Sequence, residues 1–112
     1  MRIGVLARLT GMTASRVRFY EARGLLPRPP RRQSGYRDYD EQALGVLKLI
    51  ARAQGLGYTL REIALYLSTP SAEDRRTMLL RCIDGKVSEF DDLLTETQTR
   101  LSSLQQLRQE LA

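Results

Sequence analysis

At 112 residues with a net charge of +5, the chain is one small domain with room for an appendage and only a modest core. One Cys excludes an internal disulfide framework, and zero His removes the commonest general base and metal ligand. No apolar run approaches the ~18 residues of a membrane span, and Met1-Arg2-Ile3 leads straight into a patterned helix rather than a signal peptide, so no membrane partner and a reducing cytoplasm are expected.

In chain order, Ile3, Leu6 and Leu9 recur at helical spacing, with Ala7 on the same side, until Gly11 interrupts. Thr13 can cap a second helix over 14–23, which Gly24 ends. Ala7, Gly11 and Val17 have the offsets of a helix-turn-helix. A small residue lets the helices approach, a Gly takes the turn, and a branched apolar residue locks the second helix. An ordinary helical hairpin fits the same triplet. Pro27, Pro29 and Pro30 rule out helix through 27–30. Arg31-Arg32 and Tyr36-Arg37-Asp38-Tyr39 flank Gln33-Ser34-Gly35, which predicts a short β-hairpin wing with Gly at positive φ. Two strands alone are marginal in water, so the wing must lean on the helices or be ordered by its ligand.

Asp40 caps a predicted third helix over 41–54, with Leu44, Leu47 and Ala51 facing inward before Gly55 and Gly57. Thr59-Leu60-Arg61-Glu62 is a capping box. It opens a fourth helix with Ile63, Leu67 and Tyr66 inward, ended by Pro70. Ser71-Ala72-Glu73-Asp74 is a further helix start, and no proline follows to Leu111. Ile83, Phe90, Thr97, Leu104 and Leu111 repeat every seven residues. Val87, Leu94, Leu101 and Arg108 form the companion series, with Leu93 and Leu107 widening the stripe. A helix of about 40 residues spans ~60 Å and cannot bury this seam on a small head, so a partner helix is implied, most simply a homodimer.

Charge follows the same division. Residues 1–40 hold nine Arg and three acids, a net of +6; residues 71–112 hold six basic and eight acidic residues, a net of −2. A basic head with cations and aromatic hydroxyls between Val17 and Tyr39 fits a DNA backbone and groove better than a small substrate. No enzyme is expected and no cofactor. Asp91 and Asp92 are adjacent on a helix and point about 100° apart, which is no acid/base pair, and no Gly-rich phosphate loop or metal cluster occurs in the sequence.

Five stretches, in order and spacing, resemble the MerR family of bacterial transcription regulators: Ile3-Gly4-Val5-Leu6-Ala7, Val17-Arg18-Phe19-Tyr20-Glu21, Gly24-Leu25-Leu26, Ser34-Gly35-Tyr36-Arg37-x-Tyr39 and Gly57-Tyr58-Thr59-Leu60-x-Glu62-Ile63. The resemblance implies a mainly α fold: a winged helix-turn-helix DNA-binding domain over 1–70 with a short β-hairpin wing. A long C-terminal helix over 71–112 would dimerise as an antiparallel coiled coil. It implies a homodimer on palindromic, double-stranded promoter DNA, bending and untwisting an overlong spacer so that RNA polymerase engages both promoter elements, in a bacterial, nucleoid-associated setting.

Carried over by position, Thr13, Ser15, Arg16, Arg18 and Tyr20 on the second helix are expected at the major groove and its phosphates. Arg31, Arg32, Tyr36 and Arg37 are expected on phosphates from the wing, with packing as the alternative for Tyr36 and Tyr39. Arg61 faces either a flanking phosphate or solvent, and Phe19 is expected to pack. Dimerisation falls to Ile83, Val87, Phe90, Leu94, Thr97, Leu101, Leu104 and Leu111. Cys82 reads first as a small buried hydrophobe, with a thiol sensor or a metal ligand as alternatives. The metal-sensing members resemble this chain in Arg18-Phe19-Tyr20-Glu21 and place a Cys near the start of the dimer helix, close to where Cys82 falls, but use further Cys or His after that helix that this sequence lacks, so no metal site is expected. Two rival functions remain: an architectural, excisionase-like DNA binder, and a coiled-coil adaptor with a basic head.

Overall fold

The computed structural model describes residues 1–26 and 35–112. Among them lie five helices: α1 (Ile3–Thr10), α2 (Ala14–Ala22), α3 (Glu41–Gly55), α4 (Leu60–Ser68) and α5 (Ala72–Leu111). They fall into two compact units, Met1–Ser68 and Thr69–Ala112.

In the first unit α1 packs on α2 and α3, and α3 packs on α4. The α1–α2 turn is built as the triplet predicts. Ala7 and Val17 are buried, and Gly11 closes α1 with φ +69°, its N–H donating to the Ala7 and Arg8 carbonyls. That left-handed conformation is why a Gly stands there. Thr13 caps α2 by accepting from the Arg16 N–H at 3.1 Å. Asp40 caps α3 by accepting from the Ala43 N–H at 3.0 Å. The capping box forms in both directions: Thr59 N–H donates to Glu62 Oε1 at 2.9 Å, and Glu62 N–H donates to Thr59 Oγ1 at 3.2 Å.

The core gathers Leu6, Val17, Tyr20, Leu25, Leu26, Tyr39, Ala43, Leu47, Ile50 and Ile63. Two predicted faces are corrected. Leu9 is 54% exposed, because at ~100° per residue it lies about 200° round α1 from Ala7. α3 buries Ala43, Leu47 and Ile50, whereas Leu44 is half-buried and Ala51 exposed. Its sequence is apolar on two overlapping faces, and packing against both α1 and α4 selects the one through Ile50.

The expected hairpin falls largely outside the described residues, with Arg37 as a single bridge residue. Residues 27–34, with Arg31 and Arg32, lie outside the described residues, and no strand element occurs among those described. Gly35 does take a positive φ, +87°. The segment after it ties to the chain start instead. Tyr39 N–H donates to the Met1 carbonyl at 2.7 Å, and the Met1 ammonium donates to Asp38 Oδ1 at 2.8 Å and to the Tyr39 carbonyl.

The second unit is α5, 40 residues long and roughly 60 Å by helical rise. Ser71 Oγ accepts from the Asp74 N–H at 3.3 Å. Glu73 and Asp74 in the first turn complement the helix dipole. None of its residues is buried.

Candidate nucleic-acid interface

α2 sorts its side chains into two faces. Val17, Tyr20 and Glu21 point into the core, while Ser15, Arg16, Arg18 and Phe19 are exposed. Thr13 is exposed at the cap. Ser15, Arg16 and Arg18 therefore stand on the outer side of the first turns, where side chains reach base edges most readily. Two expectations are corrected. Tyr20 is 1% exposed and its hydroxyl donates to Gln54 Oε1 at 3.0 Å. It joins α2 to α3 and leaves no group for DNA. Phe19, expected to pack, is 42% exposed, because it lies outside the inward arc of Val17, Tyr20 and Glu21. Its ring carries the Arg23 guanidinium at 4.9 Å.

Behind this face sits a charged cluster. Glu21, 5% exposed, receives Arg37 Nη1 at 2.5 Å and the Tyr39 hydroxyl at 3.2 Å on Oε2. Its Oε1 is buried without a hydrogen-bond partner. A buried carboxylate requires a cation, and Arg37, expected on a phosphate, supplies it while remaining 28% exposed. Burial pushes the Tyr39 phenol above its ordinary value; Arg37 opposes the shift and the Glu21 charge adds to it. Tyr39 thus stays neutral as a donor, with packing its role. Glu21 was not singled out among the predicted site residues, although its place four residues after Val17 puts it on the inward face.

Tyr36 is half-buried, with the Arg2 guanidinium 4.1 Å from its ring centre. Arg2 and Arg8 were not predicted. They line a trough of about 730 Å³ together with Arg18, Gly35, Tyr36 and Arg37. Arg61 is exposed in the first turn of α4.

On α5, nine large apolar residues of the predicted stripe stand open: Ile83, Val87, Phe90, Leu93, Leu94, Leu101, Leu104, Leu107 and Leu111, each at least 43% exposed. Thr97 is exposed among them. Cys82, expected to be buried, is exposed; α5 has no interior within this chain to take it. Beside it a shallow hollow is lined by Asp74, Thr77, Met78 and Arg81. No group of three or more His, Cys, Asp or Glu residues that could hold a metal ion occurs among the described residues. Nor is any described helix long and apolar enough to cross a membrane.

The sequence matches the model of the MerR HTH family regulatory proteins over residues 1–69. It is 33% identical over 111 residues to the HTH-type transcriptional regulator CueR of Vibrio cholerae, covering 99% of this chain and 76% of that protein. Among solved structures it is similar to the transcription regulator PbrR691 of Ralstonia metallidurans in complex with lead(II), at TM-score 0.71 and 30% identity, covering 97% and 86% of the two chains. It also shares the fold of HiNmlR, a MerR family regulator lacking the sensor domain and bound to promoter DNA, at TM-score 0.65 and 22% identity, covering 91% and 78%.

Proposed function

The chain belongs to the MerR family of helix-turn-helix regulatory proteins and is a DNA-binding transcription regulator, and from that premise we propose how its two units divide the work. Residues 1–70 bind one half of a palindromic promoter site, and residues 71–112 pair with a second copy as an antiparallel coiled coil. The homodimer bends and untwists the promoter spacer, which controls access by RNA polymerase in the bacterial cytoplasm. A bent site of this kind stores on the order of 1–6 kcal/mol, so small changes in the dimer shift promoter output.

The observation that carries the reading is the outer face of α2, where Ser15, Arg16 and Arg18 are exposed on a helix whose inner side is locked by Val17 and Tyr20. A rigid helix presenting planar, bidentate cations suits guanine edges and phosphates. Arg61 at the start of α4 and the wing arginines Arg31 and Arg32 are assigned to flanking phosphates. The architectural, monomeric alternative is disfavoured by the nine apolar residues left open along α5. Burying a large apolar side chain is worth about 1.5–3 kcal/mol, so most of that seam, paired, outweighs the roughly 4–15 kcal/mol cost of association.

The test is selection of duplexes by the protein from a randomised pool, followed by binding of the selected site. Arg18→Ala should weaken binding by about 1–3 kcal/mol and relax preference at one position per half-site, with the dimer intact. Unchanged affinity and preference would remove Arg18 from recognition.

A further inference from the structure

We propose that the trough between the start of α1 and the Gly35–Tyr39 segment is a further seat for a DNA backbone phosphate, formed by Arg2 and Arg8, with Arg18 at its rim left to base recognition. This rests on the DNA-binding reading and extends it to residues outside α2 and the wing.

Four arginines, Arg2, Arg8, Arg18 and Arg37, line the trough. Their charges are not equally met. Arg37 is matched by Glu21 at 2.5 Å. The Met1 ammonium pairs with Asp38, and neither this pair nor the Arg37–Glu21 pair includes Arg2, Arg8 or Arg18. Guanidinium groups gathered without a counter-charge repel one another and raise the local anion concentration. The backbone adds to the same field: α1 has no acidic residue of its own in its first turn and no capping side chain at Arg2, so its dipole end is positive.

The site is also partly built. Arg2 lies over the Tyr36 ring at 4.1 Å, a cation–π contact that holds its guanidinium at the trough. Holding a flexible side chain in place lowers the entropy lost when an anion arrives. The trough, about 730 Å³, holds far more than one water at roughly 30 Å³. Ile3 and Val5 supply apolar walls beside the arginines. Cations beside apolar walls fit a sugar-phosphate step, whose anion and deoxyribose need one of each.

The experiment is salt titration of the full chain on a duplex that it has selected from a randomised pool. Each phosphate contact adds about 0.9 to the slope of log affinity against log salt. Arg2→Ala and Arg8→Ala each remove one contact per half-site and should each lower that slope by about 2, with base preference and thermal melting unchanged. Arg2→Lys, which keeps the charge, should retain most of the slope. Unaltered slopes in both alanine variants, with the unaltered protein binding steeply, would overturn this inference alone. Failure of the unaltered protein to select any duplex would overturn the DNA-binding reading, and this one with it. Inorganic phosphate or ATP binding that Arg2→Ala abolishes, with an unchanged DNA slope, would assign the trough to a free anion and overturn the proposal.

Discussion

A carboxylate at 5% exposure needs a cation close by, and Glu21 finds Arg37 at 2.5 Å. That pairing separates positioning residues from contact residues among the aromatic and basic positions of Val17–Tyr39. Tyr20 and Tyr39 donate to Gln54 and Glu21, so their hydroxyls organise the base of the interface. Arg37→Ala should therefore behave as a stability variant. Its loss leaves Glu21 buried without its cation, at a cost of roughly 1.5–3 kcal/mol for a hydrogen bond to a charged group. The fully buried ion-pair value would overstate it, since Arg37 is 28% exposed. Thermal denaturation should show the loss, while the salt slope for DNA, read below the melting transition, should match that of the unaltered protein. A slope lowered by about 2, one contact per half-site, with normal melting would return Arg37 to the phosphates. The inward position of Glu21 was legible, since it follows Val17 by four residues. Its partner was not, because Arg37 lies 16 residues further on, beyond the reach of any local pattern.

Helix ends proved the most legible elements, because a cap is local chemistry. Thr13, Asp40, Thr59 with Glu62, and Ser71 all make the expected side-chain bonds to the backbone, and the predicted starts and stops of α2 and α3 fall within a residue of those observed. Helix faces were less legible. α3 offers apolar residues through more than half its circumference, and only its packing against α1 and α4 decides which go inward. The turn between α1 and α2 tests the local argument directly. A Cβ added at Gly11 would meet nothing within 4 Å, so any cost of filling it is conformational: its φ is +69°. Gly11→Ala should cost about 1–2 kcal/mol, the penalty of placing an L-residue in the left-handed region. The variant should keep its DNA preference when refolded at low temperature. A melting temperature equal to that of the unaltered protein would mean that the turn relaxes to another backbone without loss.

For the whole molecule, the question is whether two heads act as one reader. The exposed apolar stripe from Ile83 to Leu111 was legible in its seven-residue period, the period that coiled-coil pairing uses. Replacing Leu94 and Leu101, 68% and 46% exposed, with Asp places two charges per copy in the proposed seam, and desolvating unpaired charges is far costlier than any contact they replace. Sedimentation should then show monomers, and melting should lose its dependence on protein concentration. DNA binding should fall much further than the loss of one contact would give. A nanomolar site corresponds to about −12 kcal/mol, so one head retaining half of that holds DNA with a dissociation constant of about 10⁻⁵–10⁻⁴ M. The missing factor is the effective concentration that the coiled coil supplies by fixing the second head beside its half-site. Monomers that still bind the selected palindrome within tenfold of the unaltered protein would show that each head reads its DNA alone, and that α5 serves some purpose other than spacing the two.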